Sequence, residues 1–405
     1  MSDDTSWAER ALHHVRHLAD RIGPRGATTP EEKRAADYTQ LQMQKIGLQD
    51  VRLESFRAPR SGWLPLAIVF SAAVWGTFIC WGGFYLTQMK AIGAIIGAAL
   101  CLFGVWTVYR QVTFKDHFLR HRMPRSPSVN AIGCIPAADR TKQHVVLVSH
   151  LDTHPAAWVF QSPRRAKIFR FLLTASFASL IIGMIMYVLG GFDWWGWGFV
   201  FAGLCGLAQS AGILLVIQAD QGDFSPGAND NASGVGTVLA LAERLQQNPL
   251  AHTDVWILCS GSQTINGDGL LAFLDKHADQ LSEAWFVGFE GVGIGQRLIY
   301  VAREGLLRRS IQPAMRDAIE RVIQAQPDLA AQACATDERY TTIGPATWRG
   351  FNSACISLYD ERDGIPNWRN RKDISPRIEV EALAKAHEFG WELLQKIEAL
   401  SGANN

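Results

Sequence analysis

The sequence predicts an α/β fold, in which a mostly parallel sheet is covered by helices on both faces, with two inserted transmembrane helical hairpins. Apolar strand-like runs alternate with amphipathic helices along the chain, which is the pattern of parallel strands buried on both faces. Four other stretches are apolar, almost free of charged residues and about as long as the roughly 20 residues that span a bilayer. These two observations define the fold class.

The composition is that of a long chain with no strong charge. The 405 residues carry a net charge of +1, and no basic region would attract nucleic acid, so we expect no nucleic-acid partner. The hydrophobic content of 48% and the 14 tryptophans are high for a soluble protein. The seven cysteines lack the paired spacing of a zinc knuckle or a disulfide framework, and we expect them to be buried thiols.

Two helices are expected before the first apolar stretch. The first carries apolar residues at helical spacing and ends at Gly23 and Pro24. The second begins after Thr29, because Thr-Pro-Glu-Glu supplies an N-cap, a proline in the first turn and a glutamate three residues after the cap. This second helix ends near Gly47.

The four apolar stretches form two pairs with short links around residues 88–90 and Asp193. They cover residues 63–85, 91–109, 168–191 and 194–217. Burial in a soluble core is the alternative, but soluble helices usually show a polar face and none is visible here. Gly93 and Gly97 allow close helix packing. Ionisable residues, which mark transport paths, are nearly absent, so anchoring is favoured over transport.

The basic residues near the ends of these stretches predict the orientation in the membrane. They lie on the side that carries both termini, namely Arg57, Arg60, Arg110, Lys115, Arg120, Arg122, Arg125, Arg164, Arg165, Lys167 and Arg170. The opposite links carry little beyond Lys90 and Asp193, so both termini and the main domain are expected in the cytoplasm. The main domain is then built from residues 1–62, 110–167 and 219–405, and the two hairpins from residues 63–109 and 168–218.

The main domain contains a series of strand-like runs. They cover residues 129–135, 144–153, 255–258, 284–290, 298–302 and 354–359. A loop at 225–234 opens a helix to about residue 247, and a closing helix covers residues 380–400. Ligands of such sheets bind at the carboxyl ends of the strands. Functional residues are therefore expected where these runs end.

Metal-ligating side chains stand at three of these positions. His150 and Asp152 end an apolar strand and point to the same face, so Asp152 can orient the His150 imidazole. Asp230 lies in the loop before a helix, where the alternative is an ordinary turn or cap residue. Glu290 ends a nearly all-apolar strand, and an acid at this place is either functional or held in a salt bridge.

The order and context of these residues resemble the di-zinc exopeptidases of the leucyl aminopeptidase, glutamate carboxypeptidase and glutaminyl cyclase type. The resemblance covers nearly all of the chain outside the apolar stretches and is carried by ADRIGPRGATTPEEKRAADY (19–38), SHLDTHP (149–155), SPGANDNASG (225–234) and FEGVG (289–293). It implies the zinc exopeptidase fold, with Asp152 behind His150. It also implies that one zinc ion is bound by His150, Asp230 and Glu290.

The second metal site of the family departs from its pattern in this sequence. The family's Glu-Glu pair, a general base followed by a metal ligand, falls on Gln263 and Thr264, and its last histidine ligand falls on Arg369. A neutral amide cannot take a proton from water, and loss of a general base costs about 10²–10⁴ in rate. A guanidinium stays protonated and repels a dication, so we expect Arg369 to pair with Asp230 at the place of the second metal.

Two functions follow from this interpretation. The first is a membrane-embedded pseudopeptidase that holds at most one zinc ion, or none, and binds a peptide or a membrane-protein partner without cutting it. The second is an active single-metal exopeptidase with a noncanonical base, for which His154 and Asp268 are candidates, since one zinc ion can itself activate water. The lipid bilayer is a partner in both.

Overall fold

The structure is a computed structural model that describes residues 3–85, 89–336, 339–361 and 364–401. The chain divides into a sheet unit, of residues 1–60, 125–154 and 224–405, and a helical unit, of residues 61–124 and 155–223. Residues 110–124 and 155–167, assigned from the sequence to the main domain, lie in the helical unit because its helices extend into them. The link expected around residues 88–90 lies partly outside the described residues.

Helices and strands alternate along most of the described chain. The α-helices are α1 (Asp3–Arg16), α2 (Pro30–Ile46), α3 (Leu64–Tyr85), α4 (Lys90–Val112), α5 (Phe118–Arg122), α6 (Pro163–Gly191), α7 (Gly198–Asp220), α8 (Gly234–Gln247), α9 (Asp268–Lys276), α10 (Pro313–Ala325), α11 (Gly344–Arg349) and α12 (Val380–Ser401). The strands are β1 (Gln49–Pro59), β2 (Arg125–Ile135), β3 (Gln143–His150), β4 (Thr253–Ser260), β5 (Trp285–Phe289), β6 (Arg297–Glu304), β7 (Arg309–Ser310), β8 (Gln332–Thr336) and β9 (Asn352–Tyr359). Shorter helical turns are His17–Ile22, Trp158–Phe160, Ala228–Ser233, Pro327–Leu329 and Ser375–Arg377.

The strands of the sheet unit form one sheet in the order β1-β2-β4-β3-β5-β9-β6-β7, with β8 paired to β6. The four central strands, β4, β3, β5 and β9, run parallel to one another. The outer strands β1 and β2 are antiparallel to their neighbours, and β6 is antiparallel to β9 but parallel to β8. The α/β class with a parallel centre is therefore confirmed, and the carboxyl ends of the central strands meet at one edge.

Apolar side chains cover both faces of this sheet. In β3, Val145 and Leu147 belong to the cluster packed by helices α1, α8 and α12. Val146 and Val148 belong to the opposite cluster, which includes side chains of α9 and α11. Because successive side chains of a strand point to opposite faces, a strand buried on both sides has to be apolar throughout.

The two N-terminal helices end and begin where the sequence predicts. Gly23, at φ 83°, closes the turn that follows α1. The Thr29 hydroxyl accepts a hydrogen bond from the Glu32 backbone N–H at 3.3 Å, and Glu32 accepts one from the Thr28 backbone N–H at 2.9 Å. The first bond satisfies a donor that the first turn of α2 leaves without a helical partner, and the second ties the residue before the N-cap to the helix.

The helical unit contains four helices that are long and apolar enough to cross a membrane, namely α3, α4, α6 and α7. Large apolar side chains such as Trp75, Ile95 and Leu214 are exposed on them. Small residues form the contact between α3 and α4, because a Cβ added at Gly97 would lie 2.8 Å from a backbone carbonyl of α3. The tips of the two hairpins are joined by an ion pair between Lys90 and Asp193 at 3.0 Å.

Candidate functional site

The four predicted site residues that follow the strands lie together in the sheet unit. His150 ends β3, Asp152 lies two residues further on, and Glu290 directly follows β5. Asp230 lies in the turn Ala228–Ser233, which leads into α8. All four side chains are buried. The parallel register brings His150 beside the end of β4 and places β5, which Glu290 follows, on the other side of β3.

His150 lies between two carboxylates. Its Nε2 is 3.4 Å from Asp230 Oδ1, and its Nδ1 is 3.6 Å from Asp152 Oδ1. The Nδ1 atom makes a shorter contact, 2.8 Å, to the backbone carbonyl of Asp152. Burial acts to lower the pKa of His150, but the neighbouring carboxylates of Asp152 and Asp230 outweigh it and raise the pKa to about 10. The imidazole is therefore a cation in this arrangement.

The Asp152 carboxylate is occupied chiefly by the turn after β4. It accepts hydrogen bonds from the backbone N–H groups of Gln263 at 3.0 Å and Thr264 at 2.8 Å. The Thr264 hydroxyl donates a third hydrogen bond at 2.6 Å. The Asp152 carboxylate thus fixes the turn that carries Gln263 and Thr264. The backbone carbonyl of Asp152 positions the His150 ring.

Gln263, at the position of the family's general base, is used as a donor. Its Nε2 donates to the backbone carbonyl of Thr342 at 2.8 Å. This carbonyl requires a donor and so assigns which end of the amide faces it. Gln263 Oε1 is buried and has no hydrogen-bond partner among the described residues. The side chain is therefore held in place and offers no group that takes a proton.

Glu290 is held by an arginine that the sequence did not single out. An Arg339 guanidinium nitrogen pairs with Glu290 Oε1, while the backbone N–H and hydroxyl of Thr342 donate to Oε2 at 2.7 and 2.9 Å. Arg339 also donates to the Tyr359 hydroxyl at 3.2 Å. Burial acts to lower the pKa of Arg339, but the charge of Glu290 outweighs it and raises the pKa. The sequence left two explanations for Glu290, a functional role or a salt bridge, and the structure shows a salt bridge with Arg339.

Arg369 stands beside the same cluster. Its guanidinium carbon lies 4.4 Å from the centre of the Trp368 ring, and that of Arg339 lies 5.9 Å from the same ring. Burial lowers the pKa of Arg369 to about 10, opposed by the negative charge of Asp230 and assisted by the positive charge of Arg339. The charge of Asp230 therefore favours the protonated form of Arg369, and a direct pairing of the two side chains stays a prediction.

The two candidates for a replacement base differ in position. His154 Nε2 lies 4.0 Å from Asp230 Oδ2, and its ring contacts Trp368 edge-on. Burial and the charge of Arg369 hold the pKa of His154 well below its usual value, so the ring is neutral. Asp268 is buried in the first turn of α9. His154 therefore lies next to Asp230 in the site.

Two further buried charges hold the loop that carries Asp230. The Arg25 guanidinium donates hydrogen bonds to five backbone carbonyls, those of Leu18, Gly23, Leu151, Pro226 and Gly227, at 2.8 to 3.0 Å. Asp373 accepts from the backbone N–H groups of Asn229 at 2.6 Å and Asp230 at 3.0 Å. The N-terminal segment and the segment before α12 therefore fix the end of β3 and the Asp230 turn together.

The donor set can be compared with the needs of a zinc ion. Zinc ligands lie about 2.0–2.2 Å from the metal, so two ligands of a tetrahedral ion are about 3.4 Å apart. His150 Nε2 and Asp230 Oδ1 have this separation, and Asp230 Oδ1 accepts no hydrogen bond from the described residues. Glu290 does not complete the set, because Arg339 and Thr342 hold both of its oxygens. In the part of the chain that the structure describes, no three His, Cys, Asp or Glu side chains are grouped to hold a metal. The residues present do not fit a zinc ion in this arrangement.

Comparison with known proteins agrees with the fold and the order of the motifs. Residues 206–385 match the sequence model of peptidase family M28. No curated protein matches the chain. Among solved structures, a zinc aminopeptidase from Bacillus subtilis has a TM-score of 0.56 at 14% identity, covering 96% of this chain and 94% of its own. The glutaminyl cyclase of Bacteroides thetaiotaomicron has a TM-score of 0.55 at 13% identity, with 95% and 96% covered.

A third similar structure is a Zn-dependent exopeptidase from Parabacteroides distasonis, with a TM-score of 0.52 at 14% identity, covering 96% of this chain and 97% of its own. At such identities the likeness concerns the fold alone, and the motifs at the strand ends supply the link to the family. By its fold and by the match over residues 206–385, the chain is similar to the zinc exopeptidases of peptidase family M28.

Proposed function

We propose that this protein is a membrane-embedded pseudopeptidase, which uses the exopeptidase fold to bind a peptide or a protein partner and does not cut it. The observation that carries the proposal is the set of contacts around Thr342. The Thr342 carbonyl accepts from the Gln263 amide, and the Thr342 N–H and hydroxyl donate to Glu290. The side chain at the base position and one metal-ligand position are thus both tied to the same residue.

These contacts bear directly on the chemistry of peptide cleavage. Hydrolysis needs an attacking water and a group that accepts its proton, and the amide of Gln263 is already donating to a carbonyl. Because a buried guanidinium beside Glu290 stays protonated, the charge that a metal would supply is already present and fixed in the protein. Asp230 Oδ1, which accepts no hydrogen bond from the described residues, remains to accept one from a bound chain end.

The four apolar helices support a place in the membrane. Each is long enough to cross a bilayer, and their basic flanks favour cytoplasmic termini and a cytoplasmic sheet unit. Labelling a cysteine introduced at Asp193 with an impermeant reagent tests the orientation. Labelling from outside intact cells is expected, and labelling only after the cells are opened would reverse the proposed topology.

An active single-metal exopeptidase is the second candidate. It is favoured by the 3.4 Å separation of His150 Nε2 and Asp230 Oδ1, which suits two ligands of one ion. This candidate requires Glu290 to leave Arg339 and His154 to act as the base. It predicts that purified protein contains about one metal ion per chain and hydrolyses peptides.

The deciding experiment measures metal content and peptide hydrolysis on the purified full-length protein. The wild type is compared with the triple variant Gln263→Glu, Thr264→Glu, Arg369→His and with Asp230→Asn, which exposes any contaminating peptidase. The wild type is expected to release no more product than Asp230→Asn. Turnover by the wild type that Asp230→Asn abolishes would refute the pseudopeptidase proposal and support the second candidate.

A further inference from the structure

A four-residue segment contacts both Gln263, at the position of the family's general base, and Glu290, at the position of a metal ligand. This segment, called here the clamp, is Arg339 to Thr342, with the sequence RYTT, and lies between β8 and α11. Arg339 and Thr342 hold Glu290, and the Thr342 carbonyl holds Gln263. Thr341 donates its backbone N–H and hydroxyl to the buried Glu304, at 2.7 and 2.8 Å. The clamp thus pairs two buried carboxylates and one amide at once.

We propose that Arg339 is a built-in cation that replaces the metal ion at Glu290, so that the protein keeps its site folded without zinc, and that zinc binds only when this guanidinium is removed. The inference deepens the proposed function and rests on it for its biological meaning. Its test is separate, because it concerns metal binding and stability and does not depend on peptide cleavage.

The charge balance at Glu290 supports this role. A buried carboxylate needs a partner cation or several donors, since leaving it unpaired costs several kcal/mol. In the zinc exopeptidases the metal would supply that charge. Here Glu290 has one guanidinium and two Thr342 donors, which use both of its oxygens. The charge and the hydrogen-bond acceptors of the Glu290 carboxylate are therefore paired without a metal ion.

The surroundings of Arg339 keep the guanidinium in place. The Tyr359 hydroxyl accepts a hydrogen bond from it at 3.2 Å, and the Trp368 ring lies 5.9 Å away. For Glu290 to ligate a metal, it would have to release Arg339, whose charge would remain beside the incoming dication. Because an arginine does not deprotonate at ordinary pH, the repulsion would persist. His150 and Asp230, which keep the spacing of two ligands, would then lack the third.

The experiment is a zinc titration by calorimetry of the full-length wild type, Arg339→Met and Arg349→Met. Methionine keeps most of the side-chain length and removes the charge. Arg349 pairs with Asp275 in the same unit, with both side chains well exposed, and is the matched control. Arg339→Met is expected to bind one zinc ion per chain at least about tenfold more tightly than the wild type. The control is expected to bind like the wild type, and Glu290→Gln added to Arg339→Met is expected to abolish the gain.

A second measurement needs only the wild-type protein. Its unfolding temperature is expected to be unchanged by added zinc or by a chelator, because only a ligand that binds the folded state shifts it. A wild-type unfolding temperature that zinc raises and the chelator lowers would overturn the inference, even if Arg339→Met fails to fold. So would a folded Arg339→Met that binds zinc no better than the wild type.

The outcomes separate this inference from the proposed function. Tight zinc binding by a wild type that cuts no peptide would refute the role of Arg339 and leave the pseudopeptidase standing. Peptide cleavage by the wild type, together with tight zinc binding only by Arg339→Met, would refute the pseudopeptidase proposal and support the role of Arg339. Both proposals hold when the wild type neither binds zinc tightly nor hydrolyses peptides and Arg339→Met gains zinc binding.

Discussion

Restoring a carboxylate at the base position alone, by Gln263→Glu, is expected to destabilise the protein. The amide Nε2 that donates to the Thr342 carbonyl at 2.8 Å would become an oxygen facing an oxygen. The lost hydrogen bond and the carbonyl left without its donor cost about 1–3 kcal/mol together, since the side chain is only half-buried. For a chain of 405 residues that corresponds to an unfolding temperature roughly 1–4 °C lower.

The assay is thermal unfolding in detergent, with Gln263→Met as the control that removes the hydrogen bond without adding charge. A protonated carboxyl can donate to the carbonyl, so Gln263→Glu is expected to recover stability as the pH falls, and Gln263→Met is not. The sign follows from linkage: an acid whose folded pKa is raised costs stability as the pH rises. A Gln263→Glu protein that equals or exceeds the wild type at neutral pH, and gains more with zinc, would refute the reasoning.

Three further changes test other parts of the structure. Arg25→Met leaves five backbone carbonyls without their donor and is expected to cost at least about 3 kcal/mol of unfolding free energy, measured by denaturant unfolding; a loss under about 1 kcal/mol would contradict it. Burial lowers the pKa of His14 to about 4, so protonation of His14 removes up to about 3 kcal/mol of unfolding free energy as the pH falls from about 6.5 to 4. A His14→Phe protein should therefore show a shallower dependence of its unfolding free energy on pH over this range. Gly97→Ala would place a Cβ 2.8 Å from a backbone carbonyl and should loosen the helical unit, seen as faster proteolysis, whereas Gly82→Ala meets open space and should behave as the wild type.

Much of the fold and part of the candidate site could be predicted from the sequence. The cap at Thr29 is a local pattern with a local cause, and the structure shows it. The approach of His150 and Asp230 was predictable as well, because ligand sites of parallel sheets form at the carboxyl ends of the strands and the residues before a helix join them there. Strand periodicity does not show the direction of pairing, so the antiparallel edges of the sheet were not predicted.

Arg339 could not be predicted in the same way. It lies in an irregular segment, where no period relates one residue to the next, and its partner Glu290 is 49 residues away in the chain. An arginine outside a motif carries no signal of what it pairs with. The sequence did indicate that Glu290, at the end of a nearly apolar strand, needs either a functional role or a cationic partner. It did not indicate which residue that partner is.

The order of the strands along the chain has a consequence for biosynthesis. Strand β1 precedes the first hairpin and pairs with β2, which follows it, and the parallel neighbours of β3 all come after the second hairpin. The central strands therefore cannot assemble until both hairpins have left the ribosome. A nascent chain arrested between α7 and β4 should contain the four apolar helices α3, α4, α6 and α7 complete. Its sheet should still lack the central strands β4, β5 and β9.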